Sequence, residues 1–188
     1  MDENKSLIDD ILSGNNRAFE KLVTKYQRLV AHIVYKMIPE KDDFEDLCQE
    51  VFLKVYSNLS KFRGDAKLST WIGRIAYNRC VDYLNRNQID VSNGDFEDQM
   101  TYIADEKATP DSNMQTDEIS ELIRAEIDSL PPKLGTIIAL YHIEEMSYIE
   151  IGKILNMPDG TVKSYLFRGR KLLKERLMSK YSEEELWQ

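Results

Sequence analysis

Trp71, Arg74 and Asn78 recur at intervals of three and four, so a helix through this stretch puts an indole, a guanidinium and a carboxamide on one face. Such a face can stack an unpaired base on the ring and hydrogen-bond its edge with the polar groups. Asp82 falls on the same side. Ile72, Ala76, Cys80 and Tyr83 form the opposite, apolar stripe, with Ser69 or Thr70 near the helix start. The other arrangement open to Trp71 is burial beneath a neighbouring helix. Just upstream, FRGDAKLST (62–70) supplies Arg63, Gly64, Asp65, Lys67 and Ser69, a polar, basic loop able to wall a pocket for a nucleotide drawn out of its stack.

A second constellation lies in MSYIEIGKILNMPDGTVKSYLFRGRKLLKERL (146–177). Ser147 followed by Glu150 is a capping box opening a short helix, Asn156 to Gly160 supplies a turn, and a longer helix begins between Pro158 and Thr161. This is the pattern of a helix-turn-helix. On its second helix Val162, Leu166, Gly169, Leu173 and Leu177 share the inner face. Lys163, Ser164, Phe167, Arg170, Lys171 and Lys174 lie outside, with Arg168 at the margin. Phe167 could meet thymine methyls in a major groove. Thr161, Lys163, Ser164 and Arg168 would lie near base edges, and Arg170, Lys171 and Lys174 near phosphates. Two-helix hairpins also occur as plain structure, and only the charge on this one points to DNA.

A third face belongs to DDFEDLCQEVFLKVYS (42–57). Phe44, Leu47, Cys48, Val51 and Val55 form a core stripe, leaving Asp46, Gln49, Glu50 and Leu53 together outside. Acids around one exposed leucine would repel DNA and suit a protein partner with basic residues, although a single surface leucine is in itself ordinary.

The elements that must position these faces read as all-helical. The 188 residues hold 8 glycines and 5 prolines, and segments rich in Leu, Ile, Glu, Lys and Arg repeat with helical period while no alternating strand pattern persists. Periodicity stops from Gln88 to Gln115, where seven acids stand against Lys107 alone. This acidic stretch is expected to be a flexible linker, not a packed element, and fully extended its 28 residues reach roughly 90 Å. The domains expected are therefore 1–87 and 116–180, with 88–115 between them and an acidic tail at 181–188.

Net charge is -8, yet Lys61 to Arg86 carries six cations against two acids, and Gly160 to Lys180 carries seven against Glu175 alone. Two basic islands on an acidic chain suit polyanions while discouraging indiscriminate binding, unless both are merely solvated helix faces. MDENKSLIDD has no apolar run and nowhere do 18 apolar residues occur together, so a soluble, cytoplasmic protein with no membrane insertion is expected. Cys48 and Cys80 read as reduced core residues, and with His32 they lack the spacing of a metal cluster. No nucleophile-base pair or phosphate-cradling glycine loop is present. An enzyme is not expected, nor a cofactor or metal.

DLCQEVFLKVY (46–56), FRGDAKLSTWIGRIAYNRCVDYLNR (62–86), LPPKLGTIIALYHIEEMSYIEIGKIL (130–155) and GTVKSYLFRGRKLLKERL (160–177), in that order, closely resemble the extracytoplasmic-function, or group IV, sigma factors of bacteria. The resemblance covers nearly the whole chain apart from the linker and the tail YSEEELWQ. It implies a sigma-2 helical bundle and a sigma-4 helix-turn-helix. It further implies that Asp46, Leu47, Gln49, Glu50 and Leu53 dock the clamp helices of the RNA polymerase beta-prime subunit. Arg63 to Ser69 with Trp71, Arg74 and Asn78 would melt and read the -10 promoter element by capturing a flipped base. Lys163, Ser164, Phe167 and Arg168 would read the -35 duplex while the beta flap holds the module's other side. An anti-sigma factor is a further implied partner. A stand-alone, dimeric helix-turn-helix regulator, with 1–87 as a sensing or dimerising domain, is the alternative.

Overall fold

The computed structural model describes residues 3–38, 42–86 and 115–181, and among these it contains helices and no strand. The expected linker lies outside the described residues except for Gln115, which opens a helix, and all of the tail but Tyr181 lies outside them too.

Helix α1 (Glu3–Leu12) leads through Gly14 into α2 (Asn16–Met37). The Asn15 side chain starts α2 by accepting from the backbone N–H of Arg17 and of Ala18 at 3.1 and 3.3 Å. Leu22, Leu29, Val30, Ile33 and Val34 recur along one side of α2 and are buried. α3 (Asp42–Asn58) and α4 (Leu68–Arg86) complete a bundle in which α2, α3 and α4 each pack on the other two. Val51, Val55, Ile72, Ala76 and Cys80, all fully buried, fill its centre. Polar ties join α3 to α4 beside this core, among them Arg79 to Glu50 and the Tyr83 hydroxyl to Asp43.

The second module is α5 (Gln115–Asp128), α6 (Pro132–His142), α7 (Tyr148–Leu155) and α8 (Asp159–Lys180). Pro132 sits in the first turn of α6, where its missing N–H costs nothing. Every residue from Leu134 to Leu140 is buried. A helix apolar all round needs cover on opposite sides, and α6 has it, from α8 on one side and from α2 of the first module on the other. The two modules are therefore packed together, α6 against α2 and α7 against α4, an arrangement the sequence patterns did not disclose. No helix among the described residues is long and apolar enough to cross a membrane.

Candidate nucleic-acid interface and docking face

The helix-turn-helix is built as its sequence pattern requires. Ser147 Oγ accepts from the Glu150 N–H at 3.3 Å while the Glu150 carboxylate accepts from the Ser147 N–H at 2.8 Å, closing the capping box. Asn156 ends α7 in the left-handed region at φ 55°, and the Met157 N–H returns to the Gly152 carbonyl at 2.9 Å. Val162 and Leu166 then anchor α8 inside.

On the outer side of α8, Phe167 is 71% exposed, a large apolar ring left in water. Lys163, Ser164, Arg168, Arg170 and Lys171 are exposed around it, and Thr161 is half-buried at the helix start. Their hands are partly occupied. Lys163 Nζ lies 5.4 Å from the centre of the Tyr148 ring, and Arg170 lies 5.0 Å from Tyr141 and donates to His142 Nε2 at 3.1 Å. Burial and the Arg170 charge both hold the His142 imidazole below its ordinary value. Tyr141 and Tyr148 stack 13° from parallel, so a band of aromatics and cations flanks the exposed phenylalanine. The distal cations serve the fold instead: Arg176 donates to the Ser129 carbonyl at 2.6 Å and Lys180 to Glu126 at 2.7 Å, tying α8 to α5.

In the first module Arg74 and Asn78 are exposed on α4, as are Arg63, Asp65 and Lys67 in the preceding loop, while Ser69 is half-buried. Gly64 turns this loop at φ 79°, a conformation that favours glycine. Trp71 departs from the expected outward face. It is half-buried, with its ring centre 5.4 Å from that of Phe62. The chain returns through a short 3₁₀ turn (Leu59–Lys61) and lays Phe62 against the indole, leaving a shared aromatic ledge instead of a free ring. The basic island is also weaker than its count. Arg79 is held by Glu50 and by Asp82 at 3.6 Å, and Lys67 pairs with Glu150 of the other module at 2.8 Å.

Burial works against ionising Glu150, yet the Lys67 ammonium and the Ser147 hydroxyl and N–H outweigh it and hold the carboxyl down at about 2. Because this value lies below the ordinary 4.5, the stabilisation is present above that pH and is lost as pH falls toward 2. A Glu150→Gln chain is expected to show a shallower fall in melting temperature between about pH 5 and 3 than the parent; equal slopes would assign the acid sensitivity elsewhere.

On α3, Asp46, Gln49 and Glu50 are exposed and Leu53 is 68% exposed. Leu47 does not join them: at 3% exposure it is a core residue, since its spacing from Val51 puts it on the buried stripe. Beside this face an open groove of about 710 Å³ runs between α2 and α3, lined by Phe19, Val23, Ala31, Phe44, Phe52 and Leu53 among others. Cys80 is buried and Cys48 half-buried, both as free thiols. Burial foremost raises them to about 12 and about 11, which leaves them unreactive. His32 bonds Glu144 at 2.7 Å.

The residues that sequence patterns missed are those joining the modules, above all Lys36. It stands three positions after Ile33 and seven after Leu29, on the buried stripe of α2, and a lysine in such a place was a readable signal.

Comparison with known proteins agrees with this geometry. Residues 22–89 match the model of Sigma-70 region 2 and residues 120–173 that of Sigma-70, region 4. The chain is 34% identical over 179 residues to the ECF RNA polymerase sigma factor SigW of Bacillus subtilis, covering 92% of this chain and 96% of that one. It is 33% identical to the ECF RNA polymerase sigma-E factor of Escherichia coli strain K12, covering 89% and 90%. Among solved structures, CnrH in complex with the cytosolic domain of CnrY superposes with a TM-score of 0.62 at 21% identity, over 93% of this chain and 97% of that one. The sigma factor RpoE in complex with the anti-sigma factor NepR from Bartonella quintana gives 0.63 at 19%, over 87% and 98%. With both regions in order and identity above 30% across nearly its full length, the chain belongs to the ECF RNA polymerase sigma factors.

Proposed function

We propose that this chain carries core RNA polymerase to promoters by reading two DNA elements with two different modules, α8 gripping the -35 element as duplex and α4 with its preceding loop holding a flipped base of the -10 element. The observation that supports this most directly is Phe167. It stands 71% exposed among Lys163, Ser164, Arg168 and Arg170 on the second helix of a helix-turn-helix, so an apolar ring that can meet thymine methyls lies amid cations on the face such a motif lays in the major groove. No covalent step is needed. Binding free energy opposes the few kcal/mol that flipping a base costs. Asp46, Gln49, Glu50 and Leu53 form the face for the beta-prime clamp helices, with Leu47 supporting them from beneath, and the work is done in the cytoplasm beside the polymerase. An anti-sigma factor is the proposed regulator.

In vitro transcription with core polymerase, followed by mapping of start sites, tests this reading. Tight, palindrome-specific duplex binding by the chain alone, with no requirement for polymerase, would instead identify a stand-alone regulator. The docking face has its own test. Asp46→Lys with Glu50→Lys is expected to weaken co-purification with core polymerase roughly tenfold or more. Glu50 also pairs with Arg79, so the melting temperature must be measured alongside. Loss of an exposed pair is worth only about 0–1 kcal/mol, and unchanged co-purification in the folded variant rejects the face.

A further inference from the structure

Two cations on the outer side of α8 are fastened to rings that precede it in the chain. Lys163 lies over Tyr148 at 5.4 Å and Arg170 over Tyr141 at 5.0 Å, and the two tyrosine rings stack on each other with centres 5.2 Å apart. From Lys163 to Arg170 is two helical turns, about 10 Å along one face, with Phe167 between them. The stack, which joins the end of α6 to the start of α7, therefore sets the places of the cations on either side of the exposed ring.

Arg170 has a second hold. Its Nε–H donates to His142 Nε2 at 3.1 Å. A guanidinium has no lone pair to offer, so the imidazole is the acceptor, neutral and with its own proton on Nδ1. Burial and the neighbouring guanidinium both favour that neutral form. His142 also stands edge-on to Tyr141, ring centres 4.9 Å apart, so the acceptor is braced by the same ring that carries the guanidinium. An arginine bonded at Nε and laid over an aromatic face has given up much of its torsional freedom before any ligand arrives.

That restriction has a use in binding. A long cation immobilised only as it meets a phosphate gives back about 2- to 12-fold in affinity, the span for one rotamer-rich side chain, and a cation already in place does not. Stability gains little from the same bond, because His142 and Arg170 are both exposed. Arg176 and Lys180 differ in this respect, since their bonds to Ser129 and Glu126 tie α8 to α5.

We propose that His142 is a positioning residue for promoter binding: as a hydrogen-bond acceptor it holds Arg170 beside Phe167, set to meet a phosphate of the -35 duplex. This rests on the two-element reading above. His142 acts through Arg170, so its contribution vanishes when Arg170 is absent. The requirement is for an acceptor at the place of Nε2 and not for a charge. Glutamine, whose amide oxygen reaches that place, satisfies it, and leucine does not.

Nuclear magnetic resonance of the imidazole nitrogens in the full chain tests the hold without DNA. The chain has two histidines, and the His142→Gln chain identifies which signals belong to His142. The expected result is an unprotonated Nε2 with the proton on Nδ1, moving toward Nε2–H in Arg170→Ala. An Nε2–H tautomer in the parent overturns the hold. The DNA role is tested with holoenzyme, assembled from core polymerase and the chain, on a promoter duplex recovered by the start-site mapping above. His142→Leu is expected to weaken binding about 2- to 12-fold and to leave the slope of log affinity against log salt unchanged, because Arg170 still reaches its phosphate but must be ordered to do so. Arg170→Ala deletes the contact and should lower that slope by about 0.9. Adding His142→Leu to Arg170→Ala should weaken binding no further than about 1.5-fold, and His142→Gln should stay within about 1.5-fold of the parent. Losses that multiply in the double variant, a glutamine that binds as poorly as the leucine, or equal binding by His142→Leu and parent each overturn the positioning role. Should leucine lower the melting temperature, His142→Ala replaces it in the same comparisons. If the parent holoenzyme initiates nowhere, the two-element reading falls and takes the DNA role of His142 with it, while the tautomer still reports whether His142 holds Arg170.

Discussion

A chain carrying Gly152→Val is expected to melt roughly 2–12 °C below the parent and to lose duplex binding by α8. A Cβ at position 152 would stand 2.7 Å from the Met157 carbonyl oxygen and 3.2 Å from Asp159. The obstacle is backbone, and it cannot swing aside. The Met157 N–H is bonded to the Gly152 carbonyl, and Asn156 is already in the left-handed region. Valine adds two further methyl groups to this space, so the turn must open. Overpacking of this kind costs about 1–3 kcal/mol and occasionally more, and each kcal/mol moves the melting temperature of a chain this size by about 2–4 °C. The deformation falls on the joint that aims α8, so binding should suffer beyond what stability alone explains. Gly160, with nothing within 4 Å, is the control. Its alanine variant should stay within about 0.5 kcal/mol of the parent. A Gly152→Val chain that melted with the parent would refute the close approach of turn and helix.

The second large effect concerns strand opening. Trp71→Ala is expected to lower the yield of open complexes roughly 5- to 150-fold, the range that corresponds to a stacking interaction of about 1–3 kcal/mol with one base. A template carrying a preformed bubble should recover most of the loss. Because the indole also leans on Phe62 at 5.4 Å, part of any deficit will be lost packing. Phe62→Ala measures that part, as it removes the neighbour while keeping the indole. If the bubble rescues nothing, or if Phe62→Ala accounts for the entire deficit, the base-capture role of Trp71 is wrong.

How much of this was readable from the chain varies with the range of the interaction. The faces of α8 and α3 follow from spacing alone, so Phe167 and Leu53 stand exposed where their positions put them. The capping box at Ser147 and Glu150 and the stop at Asn156 are also local, formed by residues three or four apart or by one backbone angle. The partial burial of Trp71 was not decided by its spacing, because a helical wheel knows only its own helix. Phe62 arrives from outside α4 by way of a turn whose course depends on where Leu59 packs. The positive count of the first island misled for a related reason, as Glu50, which takes up Arg79, lies on another helix.

Sequence by itself determined the helices, their caps, their apolar stripes and the aromatic ring that α8 presents to water, because each depends on residues within about two turns of one another and on the 3.6-residue period of the backbone. Tertiary structure alone decided which faces are free. Lys36 meets Ile127 and His32 meets Glu144 across 91 and 112 residues, separations over which no periodicity carries information. Whether a lysine on an apolar stripe finds a carbonyl, and whether a histidine finds a glutamate, depends on two modules coming together in one particular way.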